Sequence, residues 1–146
     1  MSKPIDIWVN DFSAILNNFP SFVDGVLRNV ALDAKALIEK RVVDTGVSAS
    51  GTPYTPYSNY WRRERQKRGK QVDHKDFMFT RSMWRNTGIV GITPASVTIG
   101  PASQDRHKAQ YNVDREKVEI LDLNEKEVAM IEKAIEFEIN KYFGSL

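Results

Sequence analysis

Residues 77–100 read FMFTRSMWRNTGIVGITPASVTIG, and this stretch decides the fold. A polar, turn-prone start, Thr80-Arg81-Ser82, leads into Met83-Trp84-Arg85. Two short runs of β-forming residues follow, 88–93 and 96–100, with Pro94-Ala95 between them. Ile89, Val90 and Ile92 stand opposite Val97 and Ile99 across that turn. Short apolar runs either side of a Pro-containing turn predict an antiparallel β-hairpin.

On the N-terminal side, Phe22, Val23, Val26, Leu27, Val30, Ala31, Ala34, Leu37 and Ile38 recur at spacings of three and four. That period places them on one face of a helix, predicted over 21–41. Pro20 suits its start and Asp44-Thr45-Gly46 its end, glycine tolerating the left-handed conformation of a C-terminal cap. Before it, 5–9 reads as a short strand or an arm, and Asp11 as the cap of a short turn over 12–18. On the C-terminal side, His107 to Asn112 reads as a turn of helix or an edge strand, and Ile120-Leu121 as an anchor. Asn124 and Glu127 have the spacing of a capping box. Val128, Ile131, Ala134, Ile135, Ile139 and Tyr142 form the expected buried stripe of a last helix, with Met130 and Phe137 off it. The expectation is an α+β fold: a long N-terminal helix, a small antiparallel sheet with a β-hairpin, and a C-terminal helix packed on the sheet. One domain covers 1–146, with an arm at 1–19, a long loop at 43–58 and a basic connector at 59–76.

The chain has 146 residues, enough for one domain and one core. It has no cysteine, which excludes disulfides, a thiol nucleophile and thiolate metal sites. Two histidines and no nucleophile elbow leave covalent catalysis without its parts. Asp73-His74-Lys75-Asp76 lacks the three or four convergent ligands of a metal site, and Gly88, Gly91 and Gly100 form no phosphate loop. No catalytic residue, metal or cofactor is expected, and the chain reads as a non-enzyme. No run approaches the ~20 apolar residues of a membrane span, and the first residues lack a signal-peptide pattern. A soluble product of the cytoplasm, with no membrane partner, is expected.

The net charge of +2 is unevenly spread. Residues 61–86 hold nine basic and three acidic side chains, whereas 116–146 hold four basic and eight acidic. Such a chain either meets a polyanion through its middle or joins basic to acidic faces of neighbouring copies. The basic run YWRRERQKRGK, 60–70, predicts a short helix capped by Ser58 or Asn59 and ended by Gly69. Arg62, Arg63, Arg65, Lys67, Arg68 and Lys70 form its basic patch. Arginines beside aromatics suit phosphate pairing and base stacking, so a nucleic-acid-binding module is one reading; a solvated helix face and a subunit contact are the others. The loop before it, VDTGVSASGTPYTPYS, is long for a small domain, and such loops are commonly functional.

Three stretches together resemble a known family. Ser50-Gly51-Thr52-Pro53-Tyr54-Thr55-Pro56-Tyr57-Ser58 resembles the Gly-x-Pro-aromatic-x-Pro-x-Ser loop of phage virion-morphogenesis, tail-completion proteins, and the basic run 62–69 follows at a similar place. Residues 77–88 are similar to the Leu-x-x-Thr-Gly-x-Met-x-x-Ser segment before that family's hairpin. Ala109-Gln110-Tyr111-Asn112 and Ile120-Leu121-Asp122-Leu123-Asn124 resemble the Ala-x-x-His/Asn and Phe-Leu-Gly-Leu-Ser steps before its last helix. The wider group includes the neck, head–tail connector and tail-terminator proteins. The resemblance, spanning roughly 20–143, implies a structural virion protein, assembled in the host cytoplasm, that forms a homo-oligomeric ring. The ring completes the tail or joins it to the filled head, contacts other neck or tail proteins, and lets genomic DNA through its lumen. Subunit or partner contacts are then expected from Gly51, Pro53, Tyr54, Pro56 and Tyr57 of the loop and from Ile89, Ile92, Val97 and Ile99 of the hairpin.

Overall fold

The computed structural model describes residues 5–78, 82–94 and 96–144, with side chains from Asn18 onward. Five helices and one hairpin follow in order: α1 (Ile5–Thr45), α2 (Asn59–Lys67), α3 (Ser82–Arg85), β1 (Thr87–Thr93), β2 (Ser96–Pro101), α4 (Arg106–Glu116) and α5 (Glu125–Gly144). A single 3-10 turn, Ser103–Asp105, leads into α4. The α+β architecture is the one the sequence predicts, except that the sheet packs chiefly on α1 and the C-terminal helix lies along α1 rather than on the sheet.

The N-terminal arm is corrected: residues 5–9 are helical, Asp11 lies inside the helix, and α1 runs through Pro20. Proline there removes one i to i−4 hydrogen bond, a loss the 41-residue helix accommodates. The helix runs four residues past the expected end at 41, to Thr45, and stops at Gly46 as expected, with Gly46 at φ 64° and its N–H donating to Val42 O over 2.9 Å. A methyl group at Gly46 would sit 2.5 Å from His74 Cβ, so this turn needs glycine both for its conformation and for the approach of His74.

The hairpin is antiparallel, with Ile89 opposite Ile99 and Ile92 opposite Val97. Ile89 and Ile92 are three residues apart, so a regular strand would point them to opposite faces. A bulge between Ile89 and Gly91 absorbs Val90 and returns both isoleucines to the inner face. Val90 is 51% exposed and packs outward over Gly100.

Two apolar clusters hold the fold. One gathers Ile38, Val42, Tyr54, Met83, Trp84 and Ile120, the other Val26, Val30, Ala34 and Ile131. Ile99 packs against both, joining the sheet to the helices. α5 lies antiparallel along α1: Glu127 at its start pairs with Arg41, and Tyr142 near its end stacks on Phe22 with ring centroids 4.1 Å apart. Its buried stripe is narrower than the spacing suggested. Ile131 is buried, but Val128 and Ile139 are 38% and 39% exposed, because α5 meets mainly one helix and only the side facing α1 is covered.

The capping box forms in full. Glu127 N–H donates to Asn124 Oδ1 over 2.8 Å and Asn124 N–H to Glu127 Oε2 over 2.9 Å. The same carboxylate accepts from Arg41, whose other amino group reaches Asp122 O. The last helix is thereby tied to the end of the first.

Candidate functional site

The segment 43–76, expected as a long loop and a basic connector, is folded onto the core by polar contacts. Val47 bridges Pro53, Ser48 N–H donates to Thr52 O over 2.9 Å, and Gly51 at φ 83° makes the turn between them. Tyr54 N–H returns to Gly46 O over 3.0 Å, which swings the Tyr54 ring into the core, edge-on to Phe77. Ser58 caps α2 by accepting from Trp61 N–H, and Gly69 at φ 64° follows its end.

Asp76 is the hub of this segment. Its carboxylate accepts from Arg65 Nη2 over 2.7 Å, from Tyr57 Oη over 2.9 Å, from Gln71 Nε2 over 2.8 Å and from Met78 N–H over 2.8 Å. Its carbonyl accepts from buried Trp84 Nε1 over 2.9 Å. The Arg65 guanidinium lies 4.5 Å above the Tyr57 ring and also donates to Gln71 O. Burial works against the Asp76 carboxylate, but the bonds from Gln71, Met78 and Tyr57 and the charge of Arg65 outweigh it and hold its pKa below the ordinary value. The same burial pushes the Tyr57 hydroxyl up to about 12.

A second buried pair joins Lys75 to Glu116 at the end of α4, with Thr55 donating to the Glu116 carboxylate through both N–H and Oγ1. Burial again opposes the Glu116 charge, and the bonds from Lys75 and Thr55 prevail, lowering its pKa. Within 73–76, His74 Nε2 meets Val43 O at 2.6 Å. Among the described residues no group of three or more His, Asp or Glu is placed to hold a metal ion, and no helix is long and apolar enough to cross a membrane.

The expected contact residues therefore divide. Tyr54 and Arg65 are 6% and 2% exposed and are built into the fold; they leave the contact and basic-patch sets because the core ring and the buried carboxylate hold them. Ile99 is likewise committed to the core clusters, and Tyr57 is half-buried under Arg65. Gly51, Pro53 and Pro56 stand exposed on the pinned loop, and Ile89, Ile92 and Val97 are half-buried along the inner hairpin face. Arg62, Arg63, Lys67 and Arg68 remain at the surface, Lys67 paired with Glu64, and Lys70 is half-buried.

No family model, characterised protein or solved structure matches this chain.

Two features escaped the sequence reading. The first is the partnering of Arg65, Lys75 and Arg41 with acids 11, 41 and 86 residues away; ion pairing across such distances leaves no local signal. The second is a groove between α2 and α4. Trp61, Phe77, Tyr111 and Asn112 line two adjoining hollows of about 220 and 680 Å³. Arg115 borders the first, and His107 and Lys108 border the second.

Proposed function

We propose that the chain is a structural subunit of a phage head–tail junction or tail end that closes into a homo-oligomeric ring. The ordered series of loop, basic-run and hairpin motifs supports this reading, and one structural observation carries it. The sheet has two strands only among the described residues, and the outer edge of each is unpaired. The ribbon is supported on one face by α1, but free strand edges pair readily with another chain. In a ring, the hairpin of one subunit extends the sheet of the next. Its half-buried pair Ile92–Val97, towards the turn, becomes fully covered. Gly51, Pro53 and Pro56, held out on a loop anchored by Tyr54 and Asp76, present a stiff ridge to a neighbouring subunit or to another neck or tail protein. On this reading the protein resides in the virion, after assembly in the host cytoplasm, and DNA passes through the lumen.

Light scattering behind a sizing column, over a range of protein and salt concentrations, tests the assembly. A discrete closed oligomer is expected, and Ile92→Lys combined with Val97→Lys reduces it to monomer while the near-ultraviolet signal of buried Trp84 persists. A chain that stays monomeric at every concentration, and whose removal leaves phage heads and tails joined normally, overturns the reading.

A further inference from the structure

We infer that the groove between α2 and α4 binds single-stranded nucleic acid, stacking bases on Trp61 and Tyr111 while arginines on both helices pair with the phosphates. This site goes beyond the assembly reading and does not depend on it. The basic run supplies half of the groove; α4, which the sequence reading did not connect with it, supplies the other half.

The aromatic surface is exposed where it is needed. Tyr60, Trp61 and Tyr111 are 65%, 40% and 63% exposed, and Tyr60 packs edge-on to Trp61 at 5.4 Å. Trp61, Phe77 and Tyr111 line both hollows, so bases entering from solvent meet aromatic side chains from two helices. Stacking on aromatics is the sequence-tolerant element of single-strand recognition, and a duplex, whose bases are already stacked, cannot use it.

The exposed charge on these helices is predominantly positive. Arg62, Arg63, Lys67, Arg68, Arg106, Lys108 and Arg115 are exposed, against Glu64 and Asp114. Glu64 is bonded to Lys67 and Asp114 to Gln110. Helical geometry sorts the cations. Arg115 is four residues from Tyr111 on α4 and lines the hollow beside it, and Arg68 caps the end of α2, whereas Arg63 and Lys67 lie round the back of α2 from Trp61. Arg62, Arg63, Arg106 and Arg115 have no ion-pair partner among the described residues. The acids that made the C-terminal part look like a complementary partner are partly engaged internally, Glu116 with Lys75 and Glu127 with Arg41. What remains exposed on α5 is near balance, Glu125, Glu132 and Glu136 against Lys126, Lys133 and Lys141. The last helix of a second copy therefore offers this groove little charge, and a polyanion offers it much.

Fluorescence anisotropy with labelled oligo-dT and oligo-rU of about twenty nucleotides tests the site, starting near ~50 mM salt, where phosphate contacts are strong. Binding is expected to weaken with salt at a log–log slope of about −2, as ~0.7 counterions are released per phosphate contacted on a single strand. Trp61→Ala and Tyr111→Ala should each weaken binding roughly five- to a hundredfold, and Trp61→Phe should restore most of it. Arg115→Ala should flatten the salt slope, and Arg63→Ala with Lys67→Ala should leave affinity for the strand within about threefold, these two lying away from the groove. Preference for DNA or for RNA supports the site equally and tells which strand it serves. Absence of binding at low salt, unchanged affinity in both aromatic variants, or duplex bound as tightly as single strand overturns it. So does a finding that Trp61→Ala and Tyr111→Ala alter only the solution mass, which makes the groove a contact between copies. Unchanged thermal melting of each variant shows that the fold is intact, as expected for exposed side chains.

Discussion

Arg65 Nη2 lies 2.7 Å from Asp76 Oδ2, and both side chains are almost wholly buried, at 3% and 7% exposure. The pair links α2 to the irregular segment that follows it and is completed by Tyr57, Gln71 and the Met78 amide. Removing one partner leaves an uncompensated buried charge. Arg65→Ala and Asp76→Ala are each expected to cost about 3–5 kcal/mol by chemical denaturation, and the double variant less than the sum of the two. Arg62→Ala with Arg63→Ala, two and three residues away on the exposed side, should stay within about 0.5 kcal/mol. A joint alanine variant of Arg62, Arg63 and Arg65 therefore reports folding rather than partner binding, and equal stability of the Arg65 and Arg62–Arg63 variants would show that the pair carries no such weight.

Stability should fall in acid. The Asp76 and Glu116 carboxyls titrate below their ordinary values of 3.8 and 4.5, because the bonds each accepts outweigh the cost of burial. A carboxyl with a depressed folded pKa is protonated first in the unfolded chain. Its contribution is complete above about pH 4.5 and is lost as pH falls through the folded value. Tyr57 acts at the other end, its hydroxyl raised by burial from 10.0 to about 12, so its contribution is present below 10.0 and lost as pH rises towards about 12. Denaturant midpoints should form a plateau at neutral pH with a decline on each side. Asp76→Asn should flatten the acid limb, and an acid limb unchanged in that variant counts against Asp76 as a source.

The sequence carried the elements with strong local periodicity. The hairpin, the helix from Phe22 onward, the capping box of Asn124 and Glu127, and the cap and stop of α2 all rest on contacts within a few residues. The start of α1 was missed because Pro20 is a common first helical residue, although Ile5, Trp8, Phe12, Ile15 and Phe19 continue the same three-and-four spacing in the sequence. Of the candidate residues, the exposed members of the basic run could be read from the sequence. Arg65 could not be separated from Arg62 and Arg63, since only its position four residues after Trp61, on the covered side of a short helix, and the distant Asp76 decide its burial. The half of the groove supplied by α4 was beyond reach for the same reason. Tyr111 and Arg115 meet Trp61 only through the packing of α4 across the first cluster.

Two glycines should respond in opposite directions to alanine. Gly46 holds φ 64°, and a Cβ there would lie 2.5 Å from His74 Cβ. Gly46→Ala combines left-handed strain with displacement of a side chain bonded to Val43 O, and should cost more than about 1–2 kcal/mol. Gly25 lies inside α1, and a Cβ there meets nothing within 4 Å. Gly25→Ala should stabilise by roughly 0.5–1 kcal/mol through the helix propensity of alanine. Thermal melts of both variants decide the point, and destabilisation by Gly25→Ala would mean that this part of α1 is not held as a regular helix.

The bulge at Val90 makes a last, less intuitive forecast. Ile89 and Ile92 share the inner face only because one extra residue lies between them, out of step with β2, where Val97 and Ile99 are a regular two apart. Deleting Val90 brings Ile89 and Ile92 to a spacing of two, which a plain strand satisfies. The pairs Ile89–Ile99 and Ile92–Val97 persist, and what is lost is the outward packing of Val90 on Gly100 together with the local twist a bulge gives. Deleting Thr98 has the opposite effect. It makes Val97 and Ile99 neighbours, sends one of them to the solvent face, and strips Ile99 from the two clusters it joins. The Val90 deletion should cost less than about 2 kcal/mol and the Thr98 deletion about 3 kcal/mol or more, in the range of large core losses. Circular dichroism and denaturation of the two chains compare them directly. If the Val90 deletion is the more damaging, the bulge itself, through the twist it imposes on the hairpin against α1, is what the fold requires.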